Sequence, residues 1–202
     1  MSAFRTLRPL ARAAAPLRVS AATRTFTTTR PAFVKVGDTL PDLEVLQEGS
    51  PGTKVNLNKE ATKYNNMILI GVPAAFSPSC SAQHVPGFIK HPKTKDFDAV
   101  AVVSVNDVFV MKAWGEQLDP SGDASAMEPG ASKFRWFADP SGRFTKALDL
   151  LWDGSAIFGN ERSKRYTIIV EGGKVKSINV EPDNTGTSVS LAEHVLGPAT
   201  SA

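Results

Sequence analysis

The apolar residues of this chain fall into runs of two kinds. At 66–72 (NMILIGV) and 100–105 (VAVVSV) nearly every position is apolar over a strand's length. Such uninterrupted runs predict strands covered on both faces, as in the middle of a parallel or mixed sheet. Shorter β candidates lie at 43–46, 55–57 and 134–137. Helical spacing begins at about Pro78, runs over 107–117 through Val108, Met111 and Trp114, and returns at 144–151 and 187–196, where Gly197-Pro198 stops it. Residues 166–170 and 175–180, joined by Glu171-Gly172-Gly173-Lys174, predict a hairpin with a Gly-Gly turn. Residues 119–132 are dense in Pro, Gly, Ser and Asp and read as an exposed loop, with a tight turn at 139–142.

Two βα units followed by a hairpin and a closing helix predict an α/β protein with a thioredoxin-like fold, a central mixed β-sheet flanked by helices. The 202 residues, 42% of them hydrophobic, suffice for one domain with a sizeable core. No stretch approaches the ~18 consecutive apolar residues of a membrane-spanning helix. The single cysteine excludes an intrachain disulfide, a zinc finger and a CxxC redox pair.

Charge divides the chain in two. The formal net charge is +3, yet the first acidic residue is Asp38. Residues 1–30 hold Arg5, Arg8, Arg12, Arg18, Arg24 and Arg30 with no acid; without those six, 17 basic residues face 20 acidic ones, a net of −3. The folded body is therefore mildly acidic, and neither nucleic acid nor a membrane is expected as its partner. In the leader, Phe4, Leu7, Leu10 and Ala11 recur at helical spacing among Ala, Ser, Thr and spread arginines. That composition predicts a mitochondrial transit peptide over 1–30 and a matrix location, with the folded domain over 31–202. A basic arm for nucleic acid would instead pack its arginines into a block.

Candidate chemistry centres on Pro73-Ala74-Ala75-Phe76-Ser77-Pro78-Ser79-Cys80. Serine at the N-cap and proline at the first helical position mark a helix start, which puts Cys80 in the first turn. Unpaired backbone N–H groups and the positive end of the helix dipole favour a thiolate there, and the Ser77 hydroxyl lies within reach. An inert buried cysteine beside a capping serine is the plainer alternative. His84, four residues on, shares the helix face of Cys80. It could act as a base or a ligand, but one His and one Cys are too few for a closed metal site, and it reads best as support for the pocket. Trp114 reads as core, subunit contact or pocket support. His91 and His194 carry no spacing signal and are expected at the surface. Lys164-Arg165 precede the strand at 166–170; the plain reading is a solvated strand end, but an arginine there could instead steady a thiolate and an anionic leaving group.

These residues resemble the peroxiredoxin family. Pro73-x-x-x-Ser77-x-x-Cys80 matches the signature P-x-x-x-T/S-x-x-C, and GVPAAFSPSCSAQHVPGF is similar to the type II, peroxiredoxin-5-like branch. Further matches are Lys35-Val36-Gly37-Asp38, Ser104-Val105-Asn106-Asp107, Ala138-Asp139-Pro140-Ser141-Gly142, Phe158-Gly159-Asn160 and Asn179-Val180-Glu181-Pro182. The resemblance implies that Cys80 is the peroxidatic cysteine, that Ser77 hydrogen-bonds peroxide and thiolate, that Pro73 shields the site and that Arg165 activates both. It implies an antioxidant thiol peroxidase acting on hydrogen peroxide and organic hydroperoxides without metal or organic cofactor, and a homodimer formed near the active-site face. Many relatives carry a second, resolving cysteine in the segment matching Gly186-Thr187-Ser188-Val189-Ser190-Leu191; here Val189 takes its place. A sulfenic acid on Cys80 would then be resolved by glutathione, a glutaredoxin or a thioredoxin. Two other readings use the same cysteine: a non-enzymatic redox relay or chaperone, and a Cys80–His84 hydrolase, which lacks an evident third orienting group.

A reporter protein carrying residues 1–30 is expected to enter isolated mitochondria; one that stays outside contradicts the transit peptide.

Overall fold

The computed structural model describes residues 33–120 and 133–199, so the leader and most of the 119–132 loop lie outside the described residues. Among the described residues a seven-stranded mixed sheet has the order β2 (Ser50–Asn56), β1 (Glu44–Glu48), β5 (Phe134–Ala138), β4 (Ala99–Ser104), β3 (Asn66–Val72), β8 (Tyr166–Glu171), β9 (Lys174–Val180). Its centre is β3, β4 and β5, all parallel. The hairpin of β8 and β9 adds antiparallel to β3, and that of β1 and β2 to β5.

The two uninterrupted apolar runs are the central strands, and the reason is visible in their alternation. Met67 and Leu69 point into one core with Ala101, Val103, Leu46, Phe137 and Phe144, covered by α1 (Leu57–Ala61) and α4 (Arg143–Ala147). Ile68, Ile70 and Val72 point the other way with Val100 and Val102, onto α2 (Val85–Lys90), α3 (Val108–Leu118) and α6 (Ala192–Leu196). Period-two geometry makes both faces apolar at once. Cys80 belongs to this second core.

The turn at Gly172 and Gly173 has φ of 55° and 75°, the left-handed pair a tight hairpin requires. Gly71 is needed for another reason. It pairs with Tyr166 across the β3–β8 ladder, and a Cβ built on it would come within 2.0–2.5 Å of Tyr166 ring carbons. That close approach lets the buried tyrosine lie across β3.

Several expectations are corrected. Helix α4 stops at Ala147 instead of running through 151, because Asp149 adopts φ 58° and turns the chain into β6 (Leu151–Asp153). β6 pairs with β7 (Glu161–Ser163) around the short α5 (Ser155–Phe158), none of which shows a period in the sequence. Only Ala192–Leu196 of the expected closing helix is helical, since the N–H groups of residues 188–190 are bound by the Glu181 carboxylate. His91 is buried, not at the surface: its Nε2–H donates to Gly197 O at 3.0 Å and its Nδ1 accepts from Lys93 N. His194 is exposed, as expected.

Gly71→Ala is expected to destabilise the protein by about 1–3 kcal/mol in urea unfolding through overpacking against Tyr166. A parent-like midpoint would show that the ring can move aside.

Candidate active site

Strand β3 delivers the chain to a buried Pro73 and a tight turn. Asn106, just beyond β4, ties the turn down: its Oδ1 accepts from Ala75 N at 3.1 Å and from the Ser104 hydroxyl at 2.7 Å. Phe76 sits at φ 61° with half its surface exposed, its ring tilted against Trp114 at 6.5 Å. Ser77 O receives the first helical N–H, from Ser81, and Pro78 opens the turn as expected. The chain then takes a π-helical turn, Cys80–His84, with Val85 N donating to Cys80 O, before α2 begins. Pro86 supplies a reason: it has no N–H to return to the carbonyl four residues back, and its ring crowds that carbonyl.

Cys80 is fully buried, and two donors converge on its sulfur. Ser77 Oγ lies 2.8 Å away and Arg165 Nη1 3.2 Å away. The same hydroxyl also reaches Ala74 O at 3.0 Å, so one proton serves two acceptors. This replaces the expected capping of backbone N–H by Ser77. A thiol with two donors aimed at it is arranged to accept, which is how a thiolate is held.

Arg165 is 2% exposed, and among the described residues it makes no ion pair with a carboxylate. Its Nε and Nη2 both donate to Thr185 O at 3.1 Å, and Nη1 is shared between Cys80 Sγ and His84 Nδ1, the latter at 3.3 Å. An unpaired buried cation is costly, so a negative sulfur at Cys80 is the balancing charge that the geometry offers.

His84 is completely buried. Its Nε2 faces Ser190 O at 3.1 Å, which can only accept, and its Nδ1 faces a guanidinium N–H, which can only donate. The neutral tautomer with the proton on Nε2 fits both. Burial first, and the Arg165 charge second, press its pKa down to about 3 against the opposing Ser190 carbonyl and Glu181 charge. Both ring nitrogens are engaged away from the sulfur, so His84 does not act as base to Cys80. Trp114 supports the turn from below: Nε1 donates to Ser81 Oγ at 3.0 Å, and the ring packs edge-on against Trp136 at 5.3 Å.

Sequence reasoning missed Glu181. It is visible there only as part of a family match, followed at seven and nine positions by serines. Its carboxylate accepts from Ser188, Val189 and Ser190 N–H and from both serine hydroxyls. Burial raises its pKa, but those hydrogen bonds outweigh it and bring the group down to about 2. Thr185 and Thr167 are missed as well, because they act through a backbone carbonyl and a long-range contact. Among the described residues, no three His, Cys, Asp or Glu side chains cluster to hold a metal ion.

A buried cysteine on the first turn after a central strand, with a hydroxyl and a guanidinium on its sulfur, defines a thiol-based redox site on a thioredoxin-like sheet. Residues 35–196 match the Redoxin family model. The chain is 41% identical over 167 residues to the peroxisomal membrane associated protein 20 of Schizosaccharomyces pombe, spanning 81% of this chain and 98% of that one. It is 38% identical over 138 residues to peroxiredoxin-2F, mitochondrial, of Arabidopsis thaliana, spanning 67% and 64%. The crystal structure of reduced Prx3 from Vibrio vulnificus in complex with hydrogen peroxide superposes with a TM-score of 0.67 at 35% identity, over 81% of this chain and 94% of that one. The chain belongs to the redoxin family and, within it, is a peroxiredoxin, a thiol-dependent peroxidase.

Between pH 6.5 and about 3 the unfolded chain binds a proton at His84 that the folded chain refuses, so stability falls as pH drops. Glu181 adds a loss of the same sign between 4.5 and about 2. His84→Gln should flatten the fall between about pH 6.5 and pH 5, by at most about 1.4 kcal/mol per pH unit. An unchanged slope in urea titrations would show that His84 is protonated in the fold.

Proposed function

We propose that Cys80 is the peroxidatic cysteine of a one-cysteine, type II peroxiredoxin. The observation that carries this is the convergence of Ser77 Oγ and Arg165 Nη1 on a fully buried Cys80 Sγ. The Cys80 thiolate attacks one oxygen of hydrogen peroxide or an organic hydroperoxide. A sulfur–oxygen bond forms as the O–O bond breaks, and the departing oxygen takes a proton to leave as water or alcohol. Arg165 and Ser77 hydrogen-bond the charge as it moves from sulfur to the leaving oxygen. The single Ser77 proton serves sulfur and peroxide in turn, and Ala74 O holds it meanwhile. Pro73, buried at the end of β3, shields the sulfur from bulk water.

The product is Cys80 sulfenic acid. With one cysteine in the chain and Val189 at the resolving position, an external thiol completes the cycle: glutathione, a glutaredoxin or a thioredoxin. We place the enzyme in the mitochondrial matrix on the strength of the leader's composition, and the name of the Arabidopsis relative carries the word mitochondrial. A homodimer near the active-site face is supported by exposed Phe76 and Phe109, which follow the ends of the adjacent parallel strands β3 and β4.

Intact-mass measurement after one equivalent of peroxide should show the gain of one oxygen, about 16 Da, converted by glutathione to a mixed disulfide. Excess peroxide should carry the same protein on to sulfinic acid. A rapidly formed, dominant disulfide-linked dimer would contradict the one-cysteine cycle.

A further inference from the structure

The stretch 181–190, between β9 and α6, is organised by a single side chain. Glu181 is 1% exposed, and its carboxylate accepts five hydrogen bonds from this stretch. They come from the N–H groups of Ser188 at 2.8 Å, Val189 at 2.9 Å and Ser190 at 2.9 Å, and from the hydroxyls of Ser188 at 2.6 Å and Ser190 at 2.7 Å. Consecutive backbone N–H groups form a concavity suited to an anion, and here the anion is internal.

The stretch so held touches Arg165 directly at its near end and reaches it through His84 at its far end. At the near end, Arg165 N donates to Asn184 O at 2.7 Å and Glu181 N to Arg165 O at 2.9 Å. Thr185 O then takes both Nε–H and Nη2–H of the guanidinium. At the far end, Ser190 O takes the Nε2–H of His84 and the Thr167 hydroxyl, which leaves His84 Nδ1 facing Arg165 Nη1. All three guanidinium nitrogens therefore rest on groups whose places depend on this stretch. What remains for Nη1 is Cys80 Sγ.

We propose that Glu181 is a positioning residue for peroxide reduction: by fixing the stretch 181–190 it holds Thr185 O and, through Ser190 O and His84, aims the Arg165 guanidinium at Cys80 Sγ. This rests on Arg165 being the cation that supports the reacting sulfur. Glu181 touches neither sulfur nor peroxide and acts only through Arg165.

The test is the second-order rate of Cys80 oxidation by hydrogen peroxide, measured by stopped flow on the folded full chain. Glu181→Ala should lose at least about tenfold. Glu181→Gln should stay within about threefold of the parent, because one amide oxygen keeps four of the five bonds and the amide N–H can turn to Ser188 Oγ. In an Arg165→Met background, Glu181→Ala should cost nothing further, since residues acting through one group are not additive. A Glu181→Ala protein that folds and keeps the parent rate overturns the proposal, as does a loss that repeats in full on top of Arg165→Met. If Glu181→Ala does not fold, the Ser188→Ala/Ser190→Ala pair gives the same reading: a slower rate that vanishes in the Arg165→Met background supports it, and a parent rate overturns it. Should Arg165→Met itself keep the parent rate, the role given to Arg165 fails and this proposal falls with it. A slow Arg165→Met beside a fast Glu181→Ala removes this proposal alone.

Discussion

A guanidinium buried with no carboxylate partner among the described residues governs the centre of this protein. Arg165 lies against Cys80, His84 and the carbonyl of Thr185, and the one partner among them able to carry negative charge is the sulfur. Leaving a cation in such a place without a counter-charge costs several kcal/mol, so under the proposed function the fold and a negative sulfur at Cys80 would support each other. The antiparallel pairing of β8 on β3 makes the encounter: Tyr166 sits opposite Gly71, which brings Arg165 beside the loop that β3 sends to Cys80. A slip of one residue in that register would turn the β8 side chains to the other face and dissolve the site.

Around this pair the polar groups are arranged so that the sulfur stays the best acceptor. His84 is kept neutral by burial and by the neighbouring guanidinium, so it adds no second positive charge. Glu181 remains ionised, but its charge is spent on the N–H groups and hydroxyls of residues 188–190 rather than on Arg165. A direct Glu181–Arg165 pair would neutralise the cation and weaken its hold on the sulfur. The π-helical turn belongs to the same design: it starts at Cys80, and Trp114 fastens it through Ser81.

What is legible in the sequence is local or strongly periodic. The apolar run alone bounds strand β3, and the helix start at Ser77-Pro78 is enough to place Cys80 in a first turn. Arg165 is a candidate from its place at the head of a strand, but only the family resemblance links it to Cys80, because their meeting spans 85 positions and depends on strand register. Spacing overextends the closing helix, since it cannot reveal that a distant carboxylate claims the N–H groups of residues 188–190. His91 is misplaced for a similar reason: its burial is decided by the C-terminal carbonyl of Gly197 folding back on it. The short β6, α5 and β7 carry too few residues to show a period at all.

The most direct test of this account removes the charge and keeps the bulk. The rate of Cys80 oxidation by hydrogen peroxide should fall about a hundredfold or more in Arg165→Met, the loss typical of a donor aimed at developing negative charge. An Arg165→Met protein that is folded and reacts with peroxide at the parent rate would contradict it, leaving Arg165 a structural cation and the sulfur unassisted.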